Sequence, residues 1–337
     1  MSLRTILDSM VEAVLVVDDS GRVALTNRAL DELLERDATG SRPKKLIRSE
    51  QLRTAVRLAR RKRVATEVEI EGIVGERTLN FHAQVSPLPG PGGVVVVLHD
   101  VSALKDADRV RRDFVANAAH ELRTPLTAIR GFAETLANGA LSEPQVAQSF
   151  LEGILRQTER LQRLTDDLAL LSRAESAEMG YEAAPTSVSA VCRETITSVA
   201  ALARDKGVEL QVDLPKKALV MPLSARALEE VLTNLLENAI KYSKPEGRVV
   251  LAARVGDDVL EIDVRDEGIG IPARYHARIF ERFFRVDQGR SRQEGGSGLG
   301  LAIVRHLVNR MGGTIAVKSA VGRGSRFRVT LPVLRTA

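Results

Sequence analysis

The sequence predicts a multidomain α+β chain in three parts, and three observations carry that expectation. Over roughly the first hundred residues, short apolar runs with alternating polarity are separated by turn residues. From Leu104 to about Leu171 the apolar spacing changes to steps of three and four. Beyond Ser187, helical and strand-like stretches interleave. The expected division is a mixed α/β domain over 1–102, an antiparallel two-helix hairpin over 103–175, and an α/β sandwich over 186–335.

In the first part, Leu3 to Met10 begins a short helix. A-V-L-V-V-D-D-S-G-R-V-A-L-T-N-R-A then reads as strand, turn and strand, with Asp19-Ser20-Gly21 as the turn. Ala29 to Glu35 returns to helical spacing. Glu67 to Ile73, Arg77 to Val85 and Val94 to Leu98 are further strands, and Pro87, Pro89, Gly90, Pro91, Gly92 and Gly93 mark a loop. Alternation from Leu79 to Val85 puts Leu79, Phe81, Ala83 and Val85 on one face. His82 therefore faces away from the core, which disfavours a buried haem ligand. His99 sits at the domain edge, and the region has no cysteine for flavin–thiol photochemistry.

The second part opens with a charged run, K-D-A-D-R-V-R-R-D, that enters the following block without Gly or Pro, so one continuous helix is expected. Val115, Ala118, Leu122, Ile129 and Leu136 form its apolar stripe, and Asn138-Gly139 ends it. Ser142 is the expected cap of a second helix with Pro144 in its first turn, carrying Phe150, Leu151, Ile154, Leu155, Leu161, Leu164, Leu168 and Leu171. Each helix is ~45 Å long. A lone hairpin cannot bury both stripes, and pairing two hairpins in a dimeric four-helix bundle solves this, so a homodimer is expected.

After Ser172 the composition loosens into a linker. The third part then offers helices at Ser189–Arg204, Leu223–Tyr242 and Leu299–Met311. Its strands are expected at Glu209–Leu214, Arg248–Val255, Val259–Arg265, Thr314–Lys318 and Ser325–Leu331.

Composition narrows the function classes. With 44% hydrophobic and 28% charged residues over 337, the chain is an ordinary folded protein rather than a disordered one. The formal charge of +5 comes mainly from arginine, and aromatics are 3% of residues with no basic run interleaved with them. A solvated Arg-rich surface with an acidic protein partner is the expectation, and nucleic acid is not. The single Cys192 reads as core packing and fits a reducing compartment. No segment approaches the ~20 apolar residues needed to span a bilayer, and the N-terminus is not a signal peptide. A cytoplasmic location is expected, with any membrane association supplied by a partner.

The chemistry-bearing residues fall into four blocks. In F-V-A-N-A-A-H-E-L-R-T-P-L-T, His120 is followed at once by Glu121, and Thr124 lies one turn on, about 6 Å along the same face. An imidazole so placed can attack with one nitrogen while the other sheds its proton, with Glu121 as base or orienting group. Pro125 removes a backbone donor beside it. In N-L-L-E-N-A-I-K-Y, Asn234 and Asn238 share a helix face, with Lys241 and Tyr242 one turn further. An amide oxygen is a suitable ligand for Mg²⁺ already bound to phosphates. Glu237 lies off that face and reads as a solvated or structural acid. In D-E-G-I-G-I-P, Asp266 follows a strand and precedes Gly268 and Gly270, which permit close backbone approach. A polar, Gly-rich stretch from Asp287 to Ala302 brings Gly296, Gly298 and Gly300 to a helix start, where free amides favour anions. Phe280, Phe283 and Phe284 concentrate aromatics before it, and Arg282 and Arg285 are within sequence reach of phosphate. No G-x-x-x-x-G-K-[ST] occurs, so a P-loop is excluded. His276 and His306 read as structural residues on helices.

The order and separation of these blocks, over roughly residues 105 to 335, resemble a two-component sensor histidine kinase. The continuation A-I-R-G-F-A-E-T-L, with R-L-Q-R-L-T-D-D-L-A-L-L-S-R, is most similar to the phosphate-regulon type. The N-terminal part resembles a PAS sensor domain, with Asp100-Val101-Ser102 matching the short element that ends such domains. The resemblance implies autophosphorylation of His120 from ATP and transfer to an Asp of a response-regulator receiver domain. It assigns Thr124 to dephosphorylation of that regulator, Asn238 to Mg²⁺, Lys241 to phosphate, Tyr242 to the base, and Asp266 to the adenine amino group. Related ATPases of the gyrase and Hsp90 superfamily carry a water-activating glutamate where this chain has Asn234, which favours transfer over hydrolysis. The competing readings are a phosphatase-dominant sensor or scaffold, and an ATPase of that superfamily. The input stays open among a partner protein, a small ligand and dimerisation alone.

Overall fold

The computed structural model describes residues 3–90, 92–175, 183–215, 220–256, 258–286 and 296–333. The chain divides into two compact units, residues 1–113 and 114–337.

The first unit is a five-stranded antiparallel sheet with helices against it. Its strands β1 (Ala13–Val17), β2 (Val23–Thr26), β3 (Thr66–Val74), β4 (Arg77–Pro87) and β5 (Val94–Asp100) lie in the order β2-β1-β5-β4-β3. The helices α1 (Leu3–Asp8), α2 (Arg28–Leu34), α3 (Pro43–Leu46) and α4 (Glu50–Lys62) connect them. Phe81, Leu15, Leu30, Ile47, Ile70 and Leu98 are fully buried between the layers. Asn27 organises the entry to α2, accepting from the amides of Val14 at 2.9 Å and Leu30 at 3.1 Å while donating to the Leu7 and Glu12 carbonyls. The alternation read from Leu79 to Val85 holds: Phe81, Ala83 and Val85 are buried and His82 is exposed. His82 lies opposite Glu69 on one side and His99 on the other. The helices α3 and α4 were not expected. Pro43 starts the first, and the Ser49 hydroxyl caps the second by accepting from the Leu52 amide.

Helix α5 spans Ser102–Ala137. Its start is held by Asp100 Oδ1, which accepts from the Ser102 amide at 2.8 Å, and by Ser102 Oγ, which accepts from the Asn80 amide at 2.8 Å.

The second unit begins at Phe114. A 3₁₀ turn over Ala140–Ser142 links α5 to α6 (Pro144–Glu175). Ser142 ends that turn and is not the cap of α6. Glu143 stands in extended conformation at φ −113° before Pro144, which takes the first helical position where its missing N–H is no loss. Leu136, Leu164 and Leu171 of the two stripes are buried, whereas Val115 is 60% and Leu155 is 62% exposed. A small pair, β6 (Ala184–Ser187) with β8 (Val220–Leu223), follows. The main sheet contains β7 (Glu209–Asp213), β9 (Arg248–Val255), β10 (Val259–Asp266), β11 (Thr314–Ser319) and β12 (Ser325–Pro332), in the order β11-β12-β10-β9-β7. The pair β7–β9 is parallel and the other pairs are antiparallel. Helices α7 (Val188–Lys206), α8 (Ala225–Tyr242) and α9 (Gly300–Arg310) share one apolar core with this sheet, and α8 buries Leu228, Leu232, Leu235, Leu236 and Ile240 in it. Cys192 is buried there too, and burial pushes its thiol up to about 12, so it packs as a neutral side chain.

Candidate active site

His120 is exposed near the middle of α5. The Thr124 hydroxyl, one turn on, donates to the His120 carbonyl at 3.3 Å. Pro125 is buried within the helix and, lacking an N–H, leaves the Glu121 carbonyl without its intrahelical donor. Glu121 itself is 18% exposed, and its Oε2 stands 3.4 Å from Arg160 of α6 and 3.4 Å from Arg285. Those guanidiniums are 15% and 9% exposed. The sequence expected Arg285 to reach phosphate; the structure instead sets its guanidinium against Glu121. Arg160 had no signal in sequence, because it lies 39 residues from its acid. A double-mutant cycle of Glu121→Gln and Arg285→Ala in denaturant unfolding is expected to give a coupling of about 1 kcal/mol or more, as for partly buried charge pairs. Additive effects would show that the pair carries no coupling.

The second group gathers on α8, whose N-terminus is capped by the Ser224 hydroxyl. Asn234 Nδ2 donates to the Glu230 carbonyl at 2.9 Å, so its amide oxygen is turned away from that bond. A Cβ added at Gly300 would lie 2.5 Å from Asn234 Oδ1 and 3.9 Å from Asn238 Nδ2. One added at Gly296 would lie 2.8 Å from Lys241 Nζ. The start of α9 therefore abuts the face that carries Asn234, Asn238 and Lys241, and glycine is what allows that approach. Lys241 also stands over the Tyr242 ring at 5.2 Å. Glu237 is exposed, as expected.

Asp266 ends β10. Its Oδ1 accepts from the Gly268 amide at 2.9 Å and the Ser325 amide at 3.1 Å, which leaves Oδ2 for another donor. Ser325 was not singled out from sequence, since it lies 59 residues away and meets Asp266 only through the sheet. Burial raises the Asp266 carboxyl above its ordinary value, while these amides pull it back. The folded state thus holds this proton to higher pH than the unfolded chain does. The Asp266 contribution favours folding below that window and is lost as pH rises through the raised value. The adenine amino group that the resemblance assigns to Asp266 would need the ionised form. Nucleotide affinity is therefore expected to fall on acidification at a pH above the ordinary aspartate range, measured by titration across pH; a flat profile would contradict it.

Of the aromatics, Phe280 belongs to the core and meets Phe327 edge-on at 6.5 Å. Phe283 stands at φ 62°, and its amide donates to the Gly298 carbonyl at 2.8 Å, a main-chain clasp between the two residues. Asp287 to Gly295 of the Gly-rich stretch lie outside the described residues. Phe283 also meets Phe114 of α5 at 5.8 Å, and Arg282 lies over the Phe114 ring at 5.2 Å. Ser297 Oγ donates to Asp167 of α6 at 2.6 Å, and His306 bonds the Ala174 carbonyl. His306 is thus a bridge from α9 to α6. His276 follows a 3₁₀ turn rather than sitting on a helix, and it bonds the Ile271 carbonyl at 3.0 Å. Among the described residues no cluster of three His, Cys, Asp or Glu is placed to hold a metal, and no helix is long and apolar enough to cross a membrane.

Three family models match in sequence. The PAS fold covers residues 2–101, the His Kinase A (phospho-acceptor) domain 110–177, and the histidine kinase-, DNA gyrase B- and HSP90-like ATPase 224–335. The chain is 38% identical over 251 residues to the sensor histidine kinase WalK of Bacillus subtilis (strain 168), covering 71% of this chain and 39% of that protein. It is 27% identical over 328 residues to the sensor protein SrrB of Staphylococcus aureus (strain N315), covering 97% of this chain and 55% of the relative. The chain spans about half the length of such relatives, and neither carries the name of the phosphate-regulon type. In fold it is similar to the Acinetobacter baumannii histidine kinase AdeS, at a TM-score of 0.53 and 24% identity over 64% of this chain and 98% of that one. It is also similar to histidine kinase ThkA, solved in complex with response regulator protein TrrA, at a TM-score of 0.55 and 22% identity over 98% of both chains. With these modules in this order, the chain belongs to the sensor histidine kinases.

Proposed function

We propose that the chain is an ATP-dependent protein-histidine kinase that phosphorylates His120 and passes the phosphoryl group to an aspartate of a response-regulator receiver domain. The observation that carries this reading is an exposed helical imidazole in the same compact unit as Asp266, Asn238 and Lys241. A His120 ring nitrogen attacks the γ-phosphorus in line. The bond from that phosphorus to the bridging oxygen breaks, and ADP leaves with the electron pair. Glu121 takes or stabilises the proton on the other ring nitrogen. Asp266 Oδ2 accepts from the adenine amino group, Tyr242 lies beside the base, and Lys241 and the amides from Gly296 to Gly300 meet phosphate. Asn238 would hold Mg²⁺, which when bound neutralises phosphate charge. In the arrangement described here Glu121 faces Arg160 and Arg285, so that acid must exchange partners before it serves His120. In the second step the receiver aspartate attacks phosphorus and the N–P bond breaks, which restores the imidazole.

Incubation with γ-labelled ATP and Mg²⁺ tests this. The expected product is protein-bound label, stable in alkali and labile in acid, that chases onto a receiver domain; released phosphate without bound label would overturn it. The exposed Val115, Leu126, Leu151 and Leu155 on α5 and α6 support a homodimer through the hairpin. Sedimentation is expected to give a dimer that Leu151→Glu with Leu155→Glu dissociates, and a monomeric parent would exclude it.

A further inference from the structure

We infer that the outer face of the ATPase sheet carries a second anion site, adjoining the nucleotide pocket at Asp266, that takes a small molecule bearing two or more phosphate groups. The strand register sets Lys318 of β11 opposite Arg326 of β12, and Arg326 opposite Arg265 of β10. Three cations thus stand side by side on neighbouring strands, an arrangement that costs stability unless an anion answers it. Arg323, in the turn between β11 and β12, adds a fourth.

The acids at hand do not balance them. Asp263 is shared by Arg326 at 2.6 Å, Arg328 at 2.9 Å and Arg265 at 3.4 Å, and Glu261 is engaged by Arg328 at 2.8 Å. Asp266 borders the same space, but its Oδ1 is held by two amides. Among the described residues neither Lys318 nor Arg323 has a carboxylate within ion-pair distance, and the buried Arg265 Nε has no hydrogen-bond partner. These cations line a shallow cavity of about 320 Å³, with Ser319 and Ser325 also in its wall. That volume suits a small ligand rather than a single ion. Guanidiniums present paired donors that match phosphate oxygens.

The site lies directly behind the loop that carries Asp266. The Gly322 amide donates to the Ile269 carbonyl at 2.8 Å, and Ser319 Oγ accepts from the Ile271 amide at 2.8 Å. A ligand bridging Lys318, Arg323 and Arg326 would brace the turn that supports this loop, so occupancy and nucleotide binding are coupled in both directions.

Calorimetric titration of inorganic pyrophosphate into the full chain, with ADP and Mg²⁺ saturating, tests the site. Saturable binding is expected, weakened about tenfold or more when both charged donors are removed in Lys318→Ala with Arg323→Ala. Both residues are exposed, and that variant is expected to keep its melting temperature and its ADP affinity measured without pyrophosphate. Asn238→Ala is expected to keep saturable pyrophosphate binding that Lys318→Ala with Arg323→Ala still weakens. No saturable binding, an unchanged titration in the double variant, or loss in Asn238→Ala instead would each overturn the proposal. None of these readouts requires phosphoryl transfer to His120.

Discussion

His120→Gln is expected to abolish the acid-labile label from γ-labelled ATP while leaving nucleotide binding unchanged. The amide nitrogen of glutamine has its lone pair delocalised into the carbonyl, so it is no nucleophile toward phosphorus. Removing the attacking atom, unlike weakening a supporting contact, leaves no residual route, and incorporation should fall by about 10³-fold or more, to background. The fold should not suffer. His120 is exposed and, among the described residues, its side chain makes no hydrogen bond, so a polar substitution there belongs to the class worth within about 0.5 kcal/mol. Label that persists in the variant would place the acceptor elsewhere and sink the proposed mechanism.

Gly270→Ala is expected to cost far more stability than a methyl added at a glycine of similar φ with open space around it. Gly270 sits at φ +69°, and a Cβ there would stand 2.0 Å from the Ala320 carbonyl oxygen and 2.6 Å from its carbon. Those are backbone atoms of the β11–β12 turn and cannot rotate aside. Left-handed strain and forced overpacking together come to roughly 3–5 kcal/mol. Because the displaced loop carries Asp266, nucleotide binding should fail with it. Gly322→Ala is the matched control: it has a similar φ of +78° but open space around the added carbon, so about 1 kcal/mol is expected. Thermal melts of the two variants decide it, and equal shifts would show that the contact with Ala320 is not limiting.

What sequence revealed depended on range. The strands of both sheets were legible because alternation is local, as at Phe81, Ala83 and Val85. The long helices were legible because their stripes repeat over many turns. Helix α4 escaped because its buried face is Leu52, Ala55 and Ala59, and two alanines carry almost no hydrophobic signal amid arginines. The β6–β8 pair escaped because Pro185 and Pro222 stand opposite each other in it, and proline argues against a strand. At the site, Asn234, Asn238 and Lys241 were readable as one helix face. The partners of Glu121 were not, since Arg285 comes to it across 164 residues and no local pattern records such a meeting. Ser325 beside Asp266 is the same case in the sheet.

The clasp between Phe283 and Gly298 is held by backbone alone, and both of its members stand at positive φ, 62° and 75°. A Cβ placed on Gly298 would lie 2.9 Å from the Phe283 main chain, so only a residue without a side chain lets the two strands of backbone meet there. A change at either position therefore undoes the other's geometry as well.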